Sequence, residues 1–259
     1  MNKTWFKQLL NLGLIGLTAC ALVGCSHYQR NKLAKYQKFS AAELVQHAEM
    51  RLAKRDYNEA IEWLDALQAI YPFSKESRQG ELDLIFANFQ NEDYELCQAA
   101  ADRFIHLYPA DRDADYAYYM KGLSFLEKNH MLRRTFLYAS QQERLDDQGL
   151  ISAFLTFSDL IKRFPNSAYA DDAKARMYTI KHILAEHEIY LARYYYERGG
   201  LVAAINRAIP VLRYFASSAQ AKEALEIIIN SYRGLKLEDQ AARVTRLWEA
   251  NYGSLNGGN

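Results

Sequence analysis

The stretch LQAIYPFSKES (67–77) closes an apolar helical run with an aromatic residue, a proline and small polar residues. The same phrase returns as FIHLYPADRD (104–113) and LIKRFPNSAY (160–169). Proline has no N–H to continue a helix, so each copy marks a helix end. Counting 15 residues back from Pro72, Pro109 and Pro165 gives Tyr57, Tyr94 and Leu150. Leu201 and Leu237 precede Ala216 and Tyr252 by the same interval of 15, with no proline at either end. Three residues after each start stand Ala60, Cys97, Ala153, Ala204 and Gln240, four of the five small. Ten residues after each start stand Leu67, Phe104, Leu160, Val211 and Leu247. Such columns describe a helix of about three turns with one apolar face, whose small residue lets a partner helix approach closely.

The columns resemble the second helix of a tetratricopeptide repeat. The starts are separated by 37, 56, 51 and 36 residues, so the outer intervals approach the repeat length and the middle two carry insertions. Ala48, Ile85, Gly122 and Ala192 fill the matching position of the first helices. The expected fold is therefore all-α: a tetratricopeptide-repeat solenoid of five helical hairpins over residues 40–252. The third repeat carries the insertion EKNHMLRRTFLYASQQERLDDQG (127–149), expected as a long loop with a short helical part. A helix of roughly eight turns or more is expected over 168–200, ahead of the second helix of repeat four and ended by Gly199-Gly200. Residues 25–39 read as an anchor and tether, and 253–259 as a disordered tail.

The chain of 259 residues is half hydrophobic and 24% charged, which fits a folded protein rather than a disordered one. Its formal net charge of +1 offers no basic stripe for nucleic acid. The first 24 residues place Lys3 and Lys7 before an apolar run from Leu9 to Val23, the pattern of a secretory signal. The run ends in Leu22-Val23-Gly24-Cys25, which resembles a bacterial lipobox, where a cysteine thiol takes diacylglycerol. Leu17-Thr18-Ala19-Cys20 also fits, but Cys25 is preferred because polar sequence follows it at once. The rival readings are a cleaved signal with incidental cysteines and a single membrane helix. Resemblance to bacterial lipoproteins implies the outer membrane as destination, since Ser26 rather than Asp follows Cys25. Cys97 then has no partner and is expected to be buried.

No catalytic residue, metal or cofactor is expected. His182 and His187 are five apart, which turns their rings about 140° from each other on a helix, whereas zinc motifs use spacing four. Both are expected at the surface or its boundary. Asp171-Asp172 and Asp146-Asp147 suit helix starts, where carboxylates meet the dipole. There is no Gly-rich phosphate loop and no G-x-S-x-G. The 19 tyrosines are expected to pack mostly between helices.

Beyond the repeat, particular phrases carry a narrower resemblance: YPFS (71–74), ELDLIFANF (81–89), AAADRFIHLYP (99–109), DYAYYMKGL (115–123), RFPNSAYADDA (163–173) and ARYYYERGG (192–200). They resemble the BamD family, tetratricopeptide lipoproteins of the outer-membrane β-barrel assembly machine, from about Ala41 to Tyr252. The third-repeat insertion departs from the family pattern, reading TFLYASQQERLDD (135–147) where an aromatic-rich loop is usual. The resemblance implies an adaptor rather than an enzyme, lipid-anchored at the periplasmic face of the outer membrane. It implies binding to the BamA periplasmic domains, to other lipoproteins of the machine and to the C-terminal signal of unfolded barrel proteins. By motif it implies Tyr71, Pro72 and Phe73, with Asn58 nearby, as substrate-peptide residues, and Arg198 as a partner-binding residue. Two other classes stay open on the residues alone: another tetratricopeptide lipoprotein scaffold, for example one serving cell-wall enzymes, and a hydrolase with an unrecognised site.

Overall fold

The computed structural model describes residues 33–135 and 147–253. The signal peptide, Cys25 and most of the expected tail therefore lie outside the described residues, as does Asp146. Ten helices account for nearly all of what is described: α1 (Ala41–Ala53), α2 (Tyr57–Ile70), α3 (Lys75–Gln90), α4 (Tyr94–Leu107), α5 (Ala114–Thr135), α6 (Asp147–Arg163), α7 (Ala170–Glu197), α8 (Leu201–Tyr214), α9 (Gln220–Gly234) and α10 (Glu238–Tyr252). No strand occurs among the described residues. The fold is all-α and tetratricopeptide-like, as the repeated columns imply.

Local chemistry sets the helix ends. Ser40 starts α1 with a reciprocal capping box: its side chain accepts from the Glu43 N–H, and the Glu43 carboxylate accepts from the Ser40 N–H at 2.8 Å. Asp56 caps α2 by accepting from the Glu59 N–H at 3.3 Å, and Ser74 caps α3 through the Ser77 N–H at 3.2 Å. Four hairpins turn by one device. Arg55, Glu92, Gly199 and Lys236 all have positive φ, at 59°, 65°, 76° and 59°. The next N–H in each case (Asp56, Asp93, Gly200, Leu237) donates back to Arg51, Asn88, Tyr195 and Tyr232. This is a Schellman closure, which satisfies carbonyls that the helix end would otherwise leave bare. Only one of the four turns uses glycine, so the others bear a modest left-handed cost.

These turns correct the register of the fifth hairpin. The left-handed residue lies two before the helix start in the first, second and fourth hairpins, so Lys236 makes Glu238 the equivalent start, not Leu237. The small position then falls on Ala241, which is buried, rather than on Gln240. The apolar position falls on Trp248, 6% exposed, rather than on Leu247, 49% exposed. Gln240 was the one residue of its column that was not small, and that was the trace of the slip.

The chain forms two compact units that divide within α4, at Ala100 and Ala101. In the first, α1, α2 and α3 pack on one another around Leu44, Ala48, Ala60, Leu64, Leu67 and Ile85. The expected tether is docked here from Leu33 onward. Tyr36 is buried against Leu44 and Leu67, with Leu33 and Phe39 beside it, and its hydroxyl donates to Glu62 at 2.9 Å. Phe39, His47 and Trp63 stack and edge onto each other with ring centroids 4.2–5.2 Å apart.

In the second unit α5 packs on α6, α6 on α7, and α7 to α10 continue the series in order. Helix α5 runs for 22 residues to Thr135, so the first part of the inserted sequence is helical, and residues 136–146, where the long loop is expected, lie outside the described residues. Helix α7 has 28 residues, about 42 Å, and ends where Gly199 turns left-handed, as expected. Asp171 and Asp172 sit in its first turn. Tyr119 of α5 stacks on Tyr169 at 4.6 Å and donates to Asp172 at 2.7 Å, while Arg176 holds the same oxygen at 2.5 Å. Burial works to raise the Asp172 carboxyl, but the Arg176 and Tyr119 bonds outweigh it and hold the group below the ordinary carboxylate range. The stability this adds is present above that range and is lost as pH falls through the lowered value. Cys97 is buried, as expected. His182 is half-exposed, 3.6 Å from Glu186, whereas His187 is buried rather than at the surface.

The crossings are tight. Ala60 and Ala153 are fully buried, and a Cβ added at Gly122 would lie 2.4 Å from the Phe157 ring. Ala60→Phe, Ala153→Phe and Gly122→Leu are each expected to destabilise by about 1–3 kcal/mol, because a close-packed core cannot admit the volume without displacing its neighbours. Urea or thermal melts measure this, and an unchanged midpoint in any of the three would mean that the helices do not cross there.

Candidate functional site

The tip of the first hairpin is built by three constraints. Helix α2 ends at Ile70, Tyr71 leaves helical geometry with φ −127° and ψ 52°, and Pro72 cannot extend the helix. Ser74 then starts α3. The turn is pinned from both sides: the Ser77 hydroxyl donates to the Tyr71 carbonyl, and the Tyr71 hydroxyl donates to the Phe39 carbonyl at 2.9 Å. Tyr71 is half-buried beside Ala66 and Leu67. It therefore fastens the incoming chain to the hairpin rather than standing free.

Phe73 is the opposite case. It is 98% exposed, on a turn that its neighbours hold rigid. An exposed phenylalanine leaves roughly 1.5–3 kcal/mol of burial unused, which a partner can recover. Pro72 beside it is also exposed. Asn58 stands apart from them, at the first turn of α2. Thirteen residues of helix separate it from Tyr71, about 20 Å. Its side-chain oxygen accepts from Asn91 at 3.1 Å. Asn58 and Phe73 thus cannot meet one ligand side chain, although an extended peptide of about six residues spans that distance.

Arg198 is the C-cap of α7, with its N–H directed at the Tyr195 and Tyr196 carbonyls. The guanidinium is held by its own helix. It lies 3.7 Å above the Tyr194 ring, with Nη1 3.3 Å from the Tyr194 carbonyl oxygen. The residue is nonetheless exposed, and no carboxylate pairs with it among the described residues. Nearby arginines differ: Arg193 binds Glu223 at 2.6 Å, and Arg207 lies 3.4 Å from Glu188. Stacking fixes one face of the Arg198 plane and leaves fork edges open for a planar anion. Tyr194 went unnoticed in sequence, though its i, i+4 spacing to Arg198 was the available signal.

Among the described residues no group of three or more His, Cys, Asp and Glu side chains is placed to hold a metal ion. No described helix is long and apolar enough to cross a membrane.

The model of the YfiO family, described as an outer membrane lipoprotein, matches residues 37–247. The chain belongs to the YfiO/BamD family. Curated relatives agree along nearly the whole length. The outer membrane protein assembly factor BamD of Pasteurella multocida is 35% identical over 95% of this chain and 93% of its own length. The protein of the same description from Vibrio cholerae is 34% identical over 81% of this chain and 87% of its own. That of Neisseria gonorrhoeae is 32% identical over 95% and 91%. The YfiO/BamD family match spans both compact units and includes both Phe73 and Arg198.

Proposed function

We propose that this chain is a lipid-anchored adaptor of outer-membrane β-barrel assembly. It is held by Cys25 at the periplasmic face of the outer membrane. It binds the BamA periplasmic domains through a surface that includes Arg198, works alongside other lipoproteins of that machine, and receives the C-terminal signal of unfolded barrel proteins at Pro72 and Phe73. The observation that carries this reading is similarity over nearly the full chain to proteins described as outer membrane protein assembly factors. The geometry supports it: a rigid turn presents an unused aromatic, and a stacked arginine presents unused donors. Both are recurrent anchors of peptide and protein recognition. Tyr71 acts here as a positioning residue, because its hydroxyl is committed to Phe39.

The test separates the two aromatics. Phe73→Ala is expected to weaken capture of a synthetic peptide bearing a barrel-protein C-terminal signal by about tenfold or more, with no change in melting temperature. Tyr71→Phe is expected to cost about 1 kcal/mol of stability through the lost hydroxyl bond while leaving peptide capture intact. Normal capture by a folded Phe73→Ala chain would remove the turn from the substrate surface. Co-purification with cell-wall enzymes in place of BamA would sink the adaptor reading as a whole.

A further inference from the structure

A second surface lies wholly within the second unit and contains neither Phe73 nor Arg198. Helices α6, α7 and α8 enclose a groove of about 640 Å³, a size usual for ligand sites. Its walls are apolar side chains that the fold leaves uncovered. Ile151 and Leu155, one turn apart on α6, are both exposed, Leu155 by 58%. Across the groove on α8, Tyr214 is 62% exposed. Pro210 lines the same wall and interrupts the helix ladder there, since it has no N–H for the Asn206 carbonyl.

The floor is a stripe of α7, with Lys181, Leu184 and Glu188 at spacings of three and four. The two charges are about 10 Å apart along the axis and differ in their neighbours. Glu188 is answered by Arg207 at 3.4 Å. Lys181 has no carboxylate partner among the described residues; its ammonium is 5.5 Å from the Phe154 ring centroid. Among the described residues the unanswered charge of the groove is therefore positive, and it stands beside exposed apolar walls.

We propose that this groove docks a segment of a partner protein in which an acidic side chain is flanked by two large apolar ones. The apolar side chains cover Ile151, Leu155 and Tyr214, and the carboxylate pairs with Lys181. Apolar contact supplies most of the affinity, while the single charge selects an acidic segment over a basic one.

The test uses the purified full-length chain and two fluorescent synthetic peptides that differ at one position. One carries Phe and Leu on either side of Asp, the other the same residues around Lys. The wild-type chain is expected to bind the Asp peptide about tenfold more tightly, with the difference shrinking as salt rises. Lys181→Glu is expected to reverse the preference. Leu155→Ser is expected to weaken both peptides several-fold while circular dichroism stays unchanged, because Leu155 is mostly solvated already. Phe73→Ala is expected to bind both as the wild type does, which separates this groove from the turn at 71–74. Equal binding of the two peptides by the wild type would overturn the proposal. So would no binding of either peptide, as when another part of the chain fills the groove, or a preference that survives Lys181→Glu.

Discussion

A Cys25→Ala chain is expected to disappear from the outer membrane fraction. The physical reason is the size of the effect. Each buried methylene is worth about 0.8 kcal/mol, one acyl chain binds only marginally, and a diacylglycerol on the thiol makes anchoring firm. Removing the thiol removes that anchor outright, and no described helix is able to substitute as a membrane span. The docked segment sharpens the expectation. Because the chain is packed on the first hairpin from Leu33 onward, only eight residue steps separate it from Cys25. At about 3.3–3.6 Å per residue the anchor reaches at most about 29 Å. With Cys25 as the proposed anchor, the first hairpin is expected within that distance of the membrane. Fatty-acid labelling with membrane fractionation decides the matter. Labelling that persists in Cys25→Ala but is lost in Cys20→Ala would move the anchor to Cys20.

Arg198→Leu is expected to break binding to the BamA periplasmic domains while leaving the fold intact. Truncating one member of a desolvated charge pair typically costs about 2–5 kcal/mol, or roughly thirtyfold or more in affinity, partly because the other charge is left unpaired. The fold is spared because the helix end is closed by backbone bonds, Gly200 to Tyr195 and Gly199 to Tyr196, which do not involve the Arg198 side chain. Tyr194 adds a further expectation. The ring holds the guanidinium plane in place, so less freedom is lost on binding than for an arginine loose in solvent. Arg198→Lys is expected to rescue only partly, since an ammonium neither stacks in the same way nor makes two parallel bonds to a carboxylate. A pull-down of BamA periplasmic domains with each variant, alongside circular dichroism, measures both halves. Wild-type binding by a well-folded Leu variant would return Arg198 to an ordinary helix-end charge.

The helices, their ends and the small-residue crossings were legible in sequence because their causes are local. Pro72, Pro109 and Pro165 each stand just past a helix end, the αL turn at Gly199 is written in the residue itself, and the columns at Ala60, Ala153 and Ala204 recur at fixed offsets. Cys97 could be placed inside for the same reason, as the small member of its column. The fifth hairpin escaped because it carries neither the closing proline of the first three nor the glycine turn of the fourth, so the register slipped by one. What only the tertiary structure decided are the long-range commitments. Tyr71 is bound to a carbonyl 32 residues away, the stretch from Leu33 to Phe39 is buried on a hairpin that follows it, and apolar residues of α6 and α8 face a groove. A sequence pattern states that a side chain is aromatic or apolar. Whether a neighbour from elsewhere in the chain takes up that surface depends on packing, and packing left Phe73 and Leu155 uncovered while closing over Tyr36 and Trp248.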